Sequence, residues 1–148
     1  MADSNSSGDL HQQIYKKLLV VIPHLESIVE HGKSVVPGYM DLNLDVLKRG
    51  KDKTVIALSH YYKHRGDMIA DPDMVLAVYP DRAMVEALTY QDCYRYQEVY
   101  SDGGRIVDIQ AKRELNKFLL QWLGNLIIQG HRIRSPNMTV VTHGTAHE

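Results

Sequence analysis

The chain has 148 residues, 44% of them hydrophobic and 24% charged, with a formal net charge of −1, proportions that suit one soluble domain around a single core. That balance sets up no global field to draw nucleic acid or an anionic membrane, and no apolar run reaches the ~18 residues that span a bilayer. A lone cysteine, Cys93, excludes an intramolecular disulfide and makes a reducing cytoplasm the expected setting.

Met1 to Gly8 is rich in Ser, Asn and Asp and lacks the basic and apolar regions of a secretion signal, so residues 1–8 are expected to be disordered. Asp9 and Gln12 have the spacing of a capping box, and Ile14, Leu18, Val21, Ile22 and Leu25 follow at helical spacing. Pro23 lacks an N–H and clashes with the carbonyl four residues back, so the helix kinks or restarts there. Ile28 and Val29 extend the apolar face and Gly32 stops it. Met40, Leu42, Leu44 and Val46 alternate with Asp41, Asn43 and Asp45, the period of a strand with one wet face. Lys48 to Asp52 reads as a hairpin turn, and Val55 to Tyr62 as a more central returning strand. His64-Arg65-Gly66-Asp67 is a turn, and Asp71-Pro72-Asp73 a loop. Met74 to Tyr79, Met84 to Tyr90 and Tyr94 to Tyr100 are further strands, separated by Pro80-Asp81-Arg82 and closed by Ser101 to Gly104.

The final element is an amphipathic helix over Ile109 to Gln129. Leu115, Phe118, Leu119, Trp122, Leu123, Leu126 and Ile127 form its apolar stripe, and Lys112, Arg113, Asn116, Lys117, Gln121 and Asn125 its wet side. Asp108 is placed to cap it, and Gly130 to end it with positive φ. Strands joined by such short turns run antiparallel, because parallel neighbours need a long crossover. The expected fold class is therefore α+β: a meander of about five antiparallel strands flanked by an N-terminal helix and the long C-terminal helix, in a single domain over residues 9–130. Residues 131–148 are expected to be a flexible tail, with Met138 to Val141 as a possible short strand.

Few residues suggest chemistry. His60 and His64 are four apart, and with Asp67 they outline a small metal-dependent enzyme, but on a strand that spacing separates side chains by ~13 Å. Asp67, Asp71 and Asp73 lack the glycine and terminal Glu of a calcium loop. Ser59-His60 has no nucleophile elbow around it, and no phosphate or dinucleotide loop is present. No catalytic residue, metal ligand or cofactor is assigned. The chain is instead unusual in its tyrosines: Tyr61, Tyr62, Tyr79, Tyr90, Tyr94, Tyr96 and Tyr100 all fall in the strand region. Half-buried packing explains such tyrosines; exposed, they make a contact surface, since Tyr gives large area at low entropy cost. With Arg95 they could also stack single-stranded bases, against which the near-neutral charge counts.

The runs Ser59-His60-Tyr61-Tyr62, Gly66-Asp67 and Asp71-Pro72-Asp73-Met74 resemble an uncharacterised bacterial domain found mostly in proteins of plasmids and other mobile elements. Tyr96-Gln97-Glu98-Val99, Leu115-Asn116-Lys117-Phe118 and Trp122-Leu123 are similar to the same group, and the chain also looks like the small YqiB-like proteins of unknown function. The resemblance covers Leu18 to Gly130 and brings no catalytic motif. It implies a bacterial, mobile-element setting, in which a small protein that blocks a host defence complex, such as a CRISPR inhibitor, is the expected kind of function. The expected activity is non-enzymatic protein binding through a patch of Tyr61, Tyr62, His64, Asp67, Asp71, Asp73, Tyr94, Arg95 and Tyr96. The partner is a protein rather than nucleic acid or membrane, and self-pairing through the Met40 to Val46 strand is open.

Overall fold

The computed structural model describes residues 6–135. Helix α1 spans Ser6–Val21, so Asp9 lies inside it and does not cap it; of the segment expected to be disordered, residues 1–5 lie outside the described residues. Pro23 ends the regular helix, and a 3-10 turn at Leu25–Ser27 follows. The chain then enters strand β1, His31–Ser34, where sequence reading saw only a helix stop at Gly32. The glycine is needed for close approach, since a Cβ there would lie 2.6 Å from Cγ2 of Ile133. Ile28 is buried as expected, but Val29 is 83% exposed.

The strands that follow are β2 (Leu42–Arg49), β3 (Thr54–His64), β4 (Asp67–Tyr79), β5 (Met84–Gln91) and β6 (Tyr96–Glu98). With β1 they form a six-stranded sheet in sequence order, each pair antiparallel. The meander expected from the short turns is thus present with one more strand. Tyr94 to Tyr100 is not one strand: β6 is followed by β7 (Tyr100–Ser101), which pairs with β8 (Ile106–Val107) as a separate ribbon. Nor is the Asp71-Pro72-Asp73 segment a loop. It lies within β4, where Ser59 pairs with Asp73 and Tyr61 with Ala70, so two residues oppose His60 alone. Such a bulge accommodates a proline that cannot donate to the ladder. The Met40 to Val46 segment is also not an edge, because β1 pairs along β2; self-pairing through it is closed off.

Helix α2 covers Ile109–Gln129, capped by Asp108, whose side chain accepts from the Ala111 N–H, and ended by Gly130 at φ 94. Trp122 and Leu119 are buried, and Phe118 packs at the margin of the core. The core lies between one sheet face, with Leu42, Leu44, Ile56, Leu58, Met74 and Leu76, and the two helices. Leu10 and His11 of α1 face Lys112 to Lys117 of α2, and Lys17 lies beside Gly124. The helices therefore run in the same direction. The fold does not stop at Gly130: His131, Ile133 and Ser135 are buried, and the Ile133 N–H donates to the Val21 carbonyl at 2.7 Å. The expected tail strand at Met138 to Val141 lies outside the described residues.

Candidate functional site

Strands β3 and β4 are longer than their neighbours. The last pairing of β2 with β3 is at Ser59, and the last pairing of β5 with β4 is at Asp73. Beyond those points, among the described residues, Tyr61 to His64 pair only with Asp67 to Ala70. The hairpin thus leaves the sheet as a two-stranded arm of roughly 13 Å, at 3.3 Å per residue. Its turn places Arg65 at φ 53 and Gly66 at φ 89, the two positive values of a type I′ turn whose twist matches the strands. Met68 on the arm is 60% exposed.

Alternation divides the expected patch between the two sides of this end of the sheet. Tyr61, Asp73 and Tyr96 lie on the face away from the core, on which neither α-helix lies. The Tyr61 hydroxyl donates to the Asp73 carboxylate at 2.6 Å; that bond, then burial, pushes its phenol up to about 12. Gln91 pairs with both Asp73 and Tyr96, and Tyr96 donates to Glu98 at 3.4 Å, so the row continues across β4, β5 and β6. A groove of about 450 Å³ lies beside the row, with Asp45, Tyr61 and Met68 among its walls. Among the described residues, Asp45, Asp73 and Glu98 have no cationic partner, the ion pairs being Lys33–Asp41 and Arg105–Asp102.

Tyr62 falls on the other side, where Cys93, Asp71 and Tyr94 are its neighbours. The β5–β6 turn is built by Asp92, whose carboxylate accepts from the N–H groups of Tyr94 and Arg95 at 2.8 and 3.1 Å and from the Tyr90 hydroxyl at 2.6 Å. The Tyr90 hydrogen bond and the backbone N–H of Tyr94 hold the Asp92 carboxyl below its usual range. This turn leaves Tyr94 91% exposed and sets the Arg95 guanidinium 5.9 Å over the Tyr90 ring. His64 and Asp67 face each other in register at the arm's tip.

The His60–His64–Asp67 grouping is not formed. His60 is buried in the core layer, its Nδ1 2.8 Å from the Asp41 carbonyl and its ring edge-on to Trp122, whereas His64 is exposed at the strand end. Among the described residues, no group of three His, Cys, Asp or Glu side chains is placed to hold a metal ion. Sequence reading missed a network around Glu86, whose two oxygens accept from Tyr79 and Tyr100 at 2.7 and 2.8 Å. The signal was the register: Glu86 pairs with Ala77, which puts Tyr79 within reach on the same face.

A family model described as a domain of unknown function, DUF6908, matches residues 13–132. The chain belongs to the DUF6908 family. No curated protein and no solved structure matches it. The DUF6908 match opens inside α1 and closes at Arg132, so it takes in the whole sheet, the projecting arm, all of α2 and the later part of α1. It also contains the Leu18 to Gly130 stretch that carries the sequence resemblance.

Proposed function

We propose that this chain is a non-enzymatic protein-binding module of a bacterial mobile element, acting by surface contact through the β3–β4 arm to inhibit a host defence complex. The observation that carries the reading is the arm itself, which projects Tyr61, Tyr62, His64, Asp67 and Met68 beyond the sheet with no flanking strand on either side among the described residues. A rigid hairpin with tyrosines at its base and a methionine on its flank offers contact area at low ordering cost.

Asp45, Asp73 and Glu98, which have no cationic partner among the described residues, favour a basic partner surface and oppose a phosphate backbone, which makes single-strand binding the weaker reading. A defence complex that grips nucleic acid in a positively charged channel presents such a surface. The test is affinity capture from a bacterial lysate with the native chain and with the Tyr61→Ala/Met68→Ser variant, both checked for fold by circular dichroism. The native chain is expected to recover one defined complex, the folded variant about tenfold less or lower still, as for hot-spot truncations. Nucleic acid added in excess should compete. Equal recovery by the variant would remove the arm from the interface, and a metal-dependent activity abolished by His60→Ala would replace the reading altogether.

A further inference from the structure

The helix layer carries a second feature, unrelated to the arm. Because α1 and α2 run in the same direction, their N-terminal halves flank one groove of about 420 Å³, within the size range of small-molecule sites. Leu10 and Ile109 supply its apolar walls, and Ile109 is 63% exposed, a large aliphatic surface left in water at the start of a helix. His11, Lys112, Arg113, Asn116 and Lys117 supply the remainder, and no carboxylate lines it among the described residues. Arg113 and Lys117 have no hydrogen-bond or ion-pair partner among the described residues, and the Lys112 ammonium meets only the Tyr100 hydroxyl, at 3.3 Å, and its ring. A second cleft of about 320 Å³ shares His11 and Lys112 and adds Arg82, but it also holds the Glu86 carboxylate that accepts from Tyr79 and Tyr100, so the excess of cations is confined to the α1–α2 groove.

In a chain of net charge −1, this concentration of uncompensated cations over an apolar floor calls for a ligand with the opposite charge and an apolar body. A cleft of one sign focuses potential and raises the local concentration of counter-charged ligand. The apolar walls give such a ligand a place to bury its hydrocarbon part. We propose that the α1–α2 groove binds a small soluble amphiphilic anion, with a phosphate or carboxylate head held by Lys112, Arg113 and Lys117 and a hydrocarbon body laid against Leu10 and Ile109.

Isothermal titration of the full chain tests this with octyl phosphate, octanoate and inorganic phosphate as probes. Saturable binding of octyl phosphate or octanoate is expected, with inorganic phosphate about tenfold weaker or more, since it lacks the apolar body. In the Arg113→Gln/Lys117→Gln variant, whose altered residues are exposed, affinity should fall about tenfold or more, and raised salt should weaken the native interaction. Ile109→Ser should lower affinity for octyl phosphate while leaving that for inorganic phosphate unchanged. No saturable binding of either amphiphile, equal affinity in the double variant, or retention on anionic phospholipid vesicles without binding of soluble octyl phosphate would overturn the proposal. The groove lies away from the arm, so its failure leaves the protein-binding reading untouched.

Discussion

Asn116 shows how a single side chain can serve against its sequence context. It falls on the polar side of α2 between Lys112 and Lys117, which reads as a wet position, yet it is 1% exposed. Its Oδ1 accepts from the Ala87 N–H at 2.9 Å and its Nδ2 donates to the Lys112 carbonyl at 2.7 Å. His11 does the companion task, its Nδ1 3.0 Å from the Val85 carbonyl. Together they satisfy the stretch of β5 that β6 does not reach, where open backbone groups would otherwise invite another strand. Helical periodicity could not reveal this, because the group that needs Asn116 lies 29 residues away in sequence. Asn116→Ala leaves a buried N–H without a partner and should cost about 1–3 kcal/mol, read as a lower urea midpoint; an unchanged midpoint would mean that water replaces the amide. His131 is a second such residue. It is fully buried beside His60, ring centroids 5.8 Å apart, with Nδ1 2.9 Å from the Ser34 hydroxyl and no partner within hydrogen-bond geometry for Nε2 among the described residues. Burial, and then the neighbouring His60, hold its pKa below 6.5, opposed by the Met40 carbonyl and Asp41. The unfolded chain therefore takes up this proton first as pH falls. Stability from this site is complete above about 6.5, declines as pH drops through the interval down to the folded value, and is flat below it. The urea midpoint should fall between pH 7 and pH 5, with a shallower slope in His131→Leu; equal slopes would clear His131 of the effect.

At the scale of elements, the outcome depends on where each signal was local. Helix α2 was legible from cap to stop, because Asp108, the 3.6-residue stripe and Gly130 all act within one segment. The turn at Arg65-Gly66 was legible for the same reason, though Arg65 bears the strain of φ 53 that asparagine or glycine would relieve. Arg65→Asn should therefore stabilise the chain by up to about 1 kcal/mol, whereas Gly66→Ala, at φ 89, should destabilise it by more than about 1 kcal/mol. Thermal melts measure both, and a neutral Gly66→Ala would indicate that the arm tip contributes nothing to the cooperative unit. The misread elements are those whose meaning comes from a distant neighbour. Gly32 and Pro72 look like punctuation, but one makes room for Ile133 and the other occupies a bulge opposite His60. The site divided in the same way: the Tyr–carboxylate residues were legible as types, while the length of the arm depends on where β2 and β5 stop, which no single strand encodes.

At the scale of the whole molecule, the six-stranded sheet carries a pair of parallel helices on one face, and the segment after Gly130 closes that layer. The Ile133 N–H binds the Val21 carbonyl at the C-terminal end of α1. The Ile133 side chain reaches Gly32 in β1, and the Arg132 N–H donates to the Ser34 hydroxyl at 3.0 Å. Three otherwise separate parts, namely α1, the end of α2 and the first edge of the sheet, are thus tied by a few residues that composition marks as tail. Burying Ile133 contributes about 1.5–3 kcal/mol, and each backbone or hydroxyl hydrogen bond about 0.5–1.5 kcal/mol. Ending the chain at Gly130 should therefore lose about 3 kcal/mol or more, and Ile133→Ala alone about 2–4 kcal/mol through the cavity it leaves. Hydrogen exchange should show the loss of protection first in β1, whose only partner strand among the described residues is β2, and in the last turn of α1. A truncated chain with the native midpoint and native protection in β1 would show that α1 and the sheet hold together without this closure.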